Sequence, residues 1–360
     1  MLEASSDRKD VTPMIPARGL AAHSAGADLE PWEFERRDVG PGDVQIAISH
    51  SGVCHSDIHL VREEWGEQHF PIVPGHEIVG EVVAVGADVS AFSVGDRAGV
   101  GVYVDSCREC ANCLSGQSNY CLEGMTGTYA VADRRHGGYT QGGYASTIVV
   151  DQGYVVHVPK SLDPAGAAPL LCAGITLYAP LRRFGAGPGK RIGIVGLGGL
   201  GHMGQKFAVA MGAEVTVISH SPSKKADAEK LGAQHFLLSS DDEEMAGHRY
   251  GFDLIINTVS VPLDMNDYLE LLGFHGVLVN VGLPGEPFSF EAPRILNQGR
   301  SIVGSMIGPV SQLQEMLNFS AEHGIHADVE VITADYINQA YQRVIDSDVR
   351  YRFVIDGSTI

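Results

Sequence analysis

The sequence predicts an α/β plus β fold, with a barrel-like all-β unit followed by a doubly wound parallel sheet. Two rhythms and one composition carry that expectation. Up to about residue 158, runs of four to eight residues rich in Val and Ile are split by Gly, Pro and Asp, as in short strands joined by turns. From about residue 169, apolar strands alternate with helix-length segments, the pattern of parallel βαβ units. Glycine supplies 44 of the 360 residues, well above the ~7% of an average chain. Those glycines lack the three-residue period of collagen.

Length and charge narrow the possibilities. At roughly 150 residues per domain the chain suits two domains, perhaps with a third part, and it can bury a large core. Twenty-five basic against 44 acidic side chains leave a formal net charge of −19. That field repels phosphate backbones and anionic lipids, so neither nucleic acid nor a membrane surface is an expected partner. No run of 18 apolar residues is present to span a bilayer. Positions 1–10 (MLEASSDRKD) lack the apolar core of a secretory signal, so 1–12 reads as a disordered N-terminal extension of a cytoplasmic protein. Thiols stay reduced there, and cysteines clustered in sequence then point to metal rather than to disulfides.

Along the β unit, 44–49, 78–85 and 144–149 read as strands. The later part places strands at 191–195, 214–219, 235–238, 252–259, 276–281 and 301–306, with helices such as 200–211 and 224–231 between them. Right-handed crossovers join such strands into one sheet. The last 50 residues hold amphipathic helices at 312–323 and 335–345 and a strand at 350–356. These need not belong to the middle domain and can fold back on the first.

Six cysteines divide into four and two. Cys107, Cys110, Cys113 and Cys121 form a C-x2-C-x2-C-x7-C array on a polar stretch. Four thiolates close a tetrahedron around Zn²⁺ with no open position, which is a structural site. An iron–sulfur cluster also takes four cysteines, although the spacing matches neither ferredoxin run. Cys54 lies in GVCHSD, His76 and Glu77 in PGHEIV, and Cys172 in PLLCAGIT. A Cys2His set leaves a fourth position open for water or a substrate oxygen, which is a catalytic zinc arrangement. Spacing alone does not bring residues 54, 76 and 172 together.

The glycine-rich segment supplies a context for them. Gly196, Gly198, Gly199 and Gly201, with Leu200, form a G-x-G-x-x-G turn between an apolar strand and a helical pattern, the setting a dinucleotide requires. Gly196 permits the tight turn, Gly198 the approach of a pyrophosphate, and Gly201 the packing of helix on strand, while the helix N-terminus faces the phosphates. At the end of the next strand, no carboxylate stands where an NAD ribose needs one. Ser219, His220, Ser221 and Lys224 stand there and can donate to a 2′-phosphate, which favours NADP(H). Ser221 also suits the N-cap of a helix that opens on Pro222.

Together GVCHSD, the WG stretch ending in VPGHE, GDRAGVG, the four-cysteine lobe, PLLCAGIT, GLGGLGHMG and the closing YRFVID resemble the zinc-dependent medium-chain alcohol dehydrogenases. The resemblance is strongest to their cinnamyl-alcohol-dehydrogenase group of NADP-dependent aldehyde reductases, and it runs from about residue 15 to the C-terminus. It implies a GroES-like catalytic β-barrel domain over 13–165 with a structural-zinc lobe at 105–123. A Rossmann domain over 166–308 and a C-terminal return to the catalytic domain over 309–360 complete the implied layout.

The same resemblance implies two zinc ions and NADP(H) per chain, an aldehyde or alcohol substrate, and a homodimer. It makes Cys54, His76 and Cys172 the catalytic zinc ligands, with Glu77 as a transient ligand. Ser56 links the substrate oxygen to the cofactor ribose, His59 passes the proton to solvent, and Thr176 packs near the nicotinamide. His220 stands where the group commonly carries Ser or Thr. Trp65 and Tyr103 are candidate pocket residues for an aromatic or medium-sized aldehyde. Two other readings stay open on the sequence: an NAD-linked polyol dehydrogenase, and a non-catalytic zinc- and nucleotide-binding redox module.

Overall fold

Two large sheets organise the chain in a computed structural model, which describes residues 14–360. The extension expected at 1–12 lies outside the described residues. The first sheet has seven strands. Its path runs Val329–Ile332, Arg352–Asp356, Asp43–Gly52, Ile78–Val85, Arg97–Val100 and Val155–His157, with Thr147–Asp151 also paired to Asp43–Gly52. The strand expected at 144–149 starts only at Thr147. Tyr144 and Ala145 are drawn off to the antiparallel pair Ile15–Ala21 and Glu30–Arg36, where the Leu20 N–H donates to the Tyr144 carbonyl at 2.9 Å.

The second sheet has six parallel strands in the spatial order His235–Leu238, Glu214–Ser219, Arg191–Val195, Phe252–Asn257, Leu272–Asn280 and Ser301–Gly304. All six expected strands form, the first three in the chain with the expected ends and the other three with shifted ones. The one expected at 252–259 stops at Asn257, because the Val259 N–H turns back to Asn257 Oδ1 at 3.2 Å. The one expected at 301–306 stops at Gly304, because the Met306 N–H donates to the Tyr120 hydroxyl at 3.3 Å. The strand expected at 276–281 instead begins at Leu272, directly after the helix Met265–Leu271. Strand order reverses beside Arg191–Val195, and in such sheets the crevice at that reversal is where a ligand lodges.

The last residues return to the first sheet. Val329–Ile332 and Arg352–Asp356 extend its edge beyond Asp43–Gly52, where Val354 lies opposite Gly52. The helices Val310–His323 and Ile337–Ile345 form, the second entered through a 3-10 turn over Ala334–Tyr336. One hydrophobic core runs from Ile46 and Val79 through Leu177 of the helix Ala173–Arg183 to Ile194 and Phe207. The two sheets are therefore packed on a shared helix. Among the described residues no single helix is long and apolar enough to cross a membrane.

A buried histidine gives this core a pH dependence. His202, on the helix Gly201–Ala210, is fully buried, lies 3.1 Å through Nδ1 from the Gly198 carbonyl and stacks on Tyr351. A carbonyl only accepts, so Nδ1 carries the proton. Burial, helped by Lys206, depresses its pKa from 6.5 to about 3. Between those values the unfolded chain binds a proton that the folded chain does not. Stability thus falls as pH drops through that window, by up to ~1.4 kcal/mol per pH unit. His202→Phe keeps the stack and removes the titration. Between about pH 7 and pH 5 its urea midpoint should fall less than the parent's; parallel curves for the two proteins would refute this.

Candidate active site

Strand pairing brings the first donors together. Ser51 lies opposite Ile78, so the residues after one strand meet those before the other, and the Gly52 N–H donates to the Glu77 carbonyl at 2.9 Å. Residue 52 has to be glycine, because a Cβ there would come within 1.9 Å of the Glu77 carboxylate. Cys54 then caps the helix His55–Val61. Cys172 arrives from the far side of the cleft as the N-cap of the helix Ala173–Arg183. Ligand atoms of Cys54, His76, Glu77 and Cys172 all lie within 4.8 Å of one another, and all four residues are buried.

The electrostatics of this group suit a divalent cation. The neighbouring Cys172 thiol, joined by His76 and Arg352 and opposed by burial, holds Cys54 well below the ordinary thiol range. Burial pushes the Glu77 carboxyl up to about 7, even with the Arg352 guanidinium paired to it. Glu77 Oε2 is a buried acceptor with no hydrogen-bond partner among the described residues. His76 directs Nδ1 to Asp57 at 3.0 Å, which leaves Nε2 for an ion. Two thiols, an imidazole and a spare carboxylate oxygen fit Zn²⁺, whose affinity for such N and S donors is high.

The four-cysteine lobe forms a second group. Cys107, Cys110, Cys113 and Cys121 place their sulfurs within 4.8 Å of one another, and all six cysteines of the chain are free thiols. Backbone N–H groups point at the sulfurs: Cys110 to Cys107 at 3.3 Å, Leu122 to Cys110 at 3.4 Å, and Cys107 to Cys121 at 3.4 Å. The Leu122 and Cys113 N–H groups draw the Cys110 thiol down to about 6. Arg108 ties the lobe to the sheet through Asp105 and Asp151, each at 2.8 Å.

Above the cleft lies the glycine turn. Gly196 has φ +89°, and a Cβ there would meet Val259 at 2.5 Å. A Cβ at Gly201 would come within 1.9 Å of the Gly196 carbonyl, whereas Gly198 faces open space. That is the cradle a pyrophosphate fills at a helix N-terminus. Ser219 is buried and accepts the Ser221 N–H at 3.2 Å. The Ser221 hydroxyl does not cap the next turn; it bonds Ser223 Oγ at 2.9 Å, since Pro222 to Lys224 form a short 3-10 turn. His220 is exposed, and Lys224 lies 5.9 Å from the Tyr351 ring.

Of the other expected residues, Ser56 and Thr176 adjoin the donor group. Ser56 Oγ lies 3.6 Å from Cys54 Sγ. His59 is sandwiched between His55 and Trp65, with ring centroids 5.0 and 4.7 Å away, and its Nδ1 pairs with Glu64. Thr176 is buried and gives its hydroxyl to the Cys172 carbonyl at 2.7 Å. Tyr103 is packed in the core, edge-on to Tyr154 and with its hydroxyl on Ser118 at 2.9 Å, and it lines a small cavity with Leu171, Ile175 and Leu313. The sequence reading gave no role to Asp57, Glu64 or Arg352. Arg352, a cation inside the apolar closing strand, sits between Glu77 and Gly199.

Comparison with known proteins places the chain. Residues 40–160 match the alcohol dehydrogenase GroES-like domain family, and residues 199–322 match the zinc-binding dehydrogenase family. The chain is 53% identical to NADP-dependent alcohol dehydrogenase C 1 of Mycolicibacterium smegmatis, over 96% of its own length and 99% of that protein's. It belongs to the zinc-dependent medium-chain alcohol dehydrogenases. Within this alcohol dehydrogenase family it falls in the cinnamyl-alcohol-dehydrogenase-like group. It is 49% identical to the aldehyde reductase YahK of Escherichia coli, over 95% and 99% of the two chains. A cinnamyl alcohol dehydrogenase of Sorghum bicolor superposes with a TM-score of 0.92 at 46% identity, over 95% and 98% of the two chains. The Helicobacter pylori enzyme solved with NADP(H) superposes at 0.90 and 38% identity, over 96% and 99%.

Proposed function

We propose that this zinc- and NADP(H)-dependent alcohol dehydrogenase reduces aldehydes to primary alcohols at the cleft between its two sheets. One observation carries the site assignment: two thiols, an imidazole and a carboxylate from three separate segments converge within 4.8 Å, and Arg352 links that group to Gly199 of the glycine turn. Cys54, His76 and Cys172 hold the catalytic zinc, and Glu77 is poised to exchange with them. Cys107, Cys110, Cys113 and Cys121 hold the structural zinc. When bound, zinc polarises the aldehyde carbonyl as a Lewis acid, and NADPH supplies the hydride.

The remaining chemistry belongs to the chain. Ser56, beside Cys54, orients the reacting oxygen and donates its hydroxyl proton to it, and His59 restores that proton from solvent. Glu64 holds His59 by Nδ1 and leaves Nε2 facing the relay. Gly196, Gly198, Gly199, Leu200 and Gly201 cradle the pyrophosphate, and Thr176 packs against the nicotinamide. Ser219, His220, Ser221 and Lys224 receive the 2′-phosphate. Trp65, half exposed and stacked on His59, forms a wall suited to an aromatic or medium-sized aldehyde.

The domain limits that fit these sheets are 13–165 for the catalytic domain, 166–308 for the nucleotide domain and 309–360 for the return. A homodimer joined along the free edge Ser301–Gly304 fits the exposed Phe274, Leu283, Phe288 and Leu296. Six cysteines, all thiols and all in metal-binding groups, fit a cytoplasmic location.

The test follows reduced-cofactor absorbance with a panel of aldehydes and polyols, using NADPH and NADH in turn. Aldehydes with NADPH should give the highest kcat/KM. A preference for polyols with NAD would favour the polyol-dehydrogenase reading, and tight NADPH binding without turnover would favour a redox module. Light scattering on the same preparation should give twice the chain mass, and a mass of one chain would remove the dimer.

A further inference from the structure

We propose that Tyr144 is a positioning residue for this reaction. Its phenol holds the Asp57 carboxylate, and through it the His76 ring and the turn carrying Cys54, in the geometry of metal ligands. The inference rests on the assignment of the catalytic zinc to Cys54, His76 and Cys172.

Four donors converge on Asp57, which is fully buried. Oδ1 accepts the Gly75 N–H at 3.2 Å and lies 3.0 Å from His76 Nδ1. Oδ2 accepts the Cys54 N–H at 2.9 Å and the Tyr144 hydroxyl at 2.9 Å. A carboxylate has about four acceptor sites, and here each has its donor. Three of the donors lie on the two segments that carry ligands. The fourth comes from 87 residues further along the chain.

The packing and the polar role of Tyr144 are separable. Its ring is fully buried beneath Gly75, where a Cβ would come within 2.6 Å of Tyr144 Cδ1 and φ is +103°. Its N–H donates to the Pro74 carbonyl at 2.9 Å. Ring and backbone thus shape the turn that leads into His76, while the hydroxyl is bonded to Asp57. Without that hydroxyl, Asp57 Oδ2 keeps only the Cys54 N–H, and three donors hold the carboxylate instead of four. The His76 ring and the Cys54 turn are then less firmly held, a kind of outer-shell loss that costs roughly ten- to a hundredfold in metal affinity.

A matched control stands next to it. Tyr341, from the returning helix Ile337–Ile345, is also buried near Asp57, but its hydroxyl neighbours that of Tyr144 and makes no hydrogen bond to the carboxylate. Removing that hydroxyl takes no donor from Asp57.

The experiment compares zinc-loaded holoenzyme with Tyr144→Phe and Tyr341→Phe. Zinc release to a chromophoric chelator, the visible spectrum of enzyme carrying cobalt at the catalytic site, melting temperature, kcat and KM are measured for each. Tyr144→Phe should release one of its two zinc ions at least about tenfold faster, shift the cobalt bands and lower kcat. Its KM for NADPH and its melting temperature should stay close to the parent's, and Tyr341→Phe should match the parent throughout. Unchanged release and cobalt bands in Tyr144→Phe overturn the proposal. Equal acceleration in Tyr341→Phe also overturns it, because the effect is then general loosening. Cys172→Ala is analysed in parallel: two retained zinc ions would sink the underlying site assignment, whereas one retained ion with unchanged Tyr144→Phe sinks the Tyr144 role alone.

Discussion

Cys172→Ala should abolish turnover while leaving one zinc ion per chain and normal NADPH binding. Cys172 caps a helix of the shared core with its sulfur beside Cys54 and His76, so on the proposed assignment its loss removes one of three ligands and leaves the helix packed. Lewis-acid polarisation is worth several kcal/mol of transition-state stabilisation, which makes a loss on the order of a thousandfold in kcat. The glycine turn and the end of Glu214–Ser219 are untouched, so fluorescence titration with NADPH should give the parent's Kd. Cys110→Ala is the contrasting case. Its sulfur belongs to a lobe pinned by Arg108 to Asp105 and Asp151, away from the cleft. It should release the other zinc and lower the melting temperature, while chains that stay folded keep most of their kcat. Similar mild effects from both variants would contradict a division into catalytic and structural metals.

Arg352→Leu should destabilise the fold by about 3–5 kcal/mol, the usual cost of stranding one member of a buried ion pair. Arg352 and Glu77 are both buried, 275 residues apart in the chain, and their ion pair joins the closing strand to the edge of the metal group. The Leu variant leaves a buried carboxylate without its cation, and it also takes a guanidinium away from Gly199, where a Cβ would touch its side chain at 3.0 Å. NADPH affinity should therefore fall roughly ten- to a hundredfold, the worth of one charged hydrogen bond. Adding Glu77→Gln to Arg352→Leu should restore most of the stability and none of the affinity. Urea unfolding separates the two effects. If the double variant is no more stable than the single one, the pair is not the source of the loss.

Much of the fold was legible because it depends on local pattern. Runs of buried Val and Ile, such as Ile192–Val195 within the strand Arg191–Val195, identify strands wherever they fall between turn residues. All six strands of the parallel sheet formed where the pattern placed them, and the misplaced ends have specific causes. Met306 left its strand because Tyr120, from the cysteine lobe, took its N–H. Ser221 failed to cap because Ser223 was the nearer partner for its hydroxyl. Tyr103 read as a pocket candidate and does line a small cavity, but its burial in the core could not be told from the sequence. Side-chain hydrogen bonds between distant segments leave no periodicity to read.

Residue types and spacings by themselves determined the chemistry of this protein. Four cysteines within fifteen residues specify a closed metal site, and G-x-G-x-x-G after an apolar strand specifies a dinucleotide turn, because each is built from one continuous segment. Tertiary structure alone decided which distant groups meet. The Ser51–Ile78 register sets Cys54 beside His76, the shared helix brings Cys172 to them, and the returning strand delivers Arg352 to Glu77 and Gly199. Asp57 and Tyr144 acquire their roles only there. The physical reason is the same in each case: burial makes an unpaired charge or donor costly, so partners are chosen by the surfaces that packing brings together, not by distance along the chain.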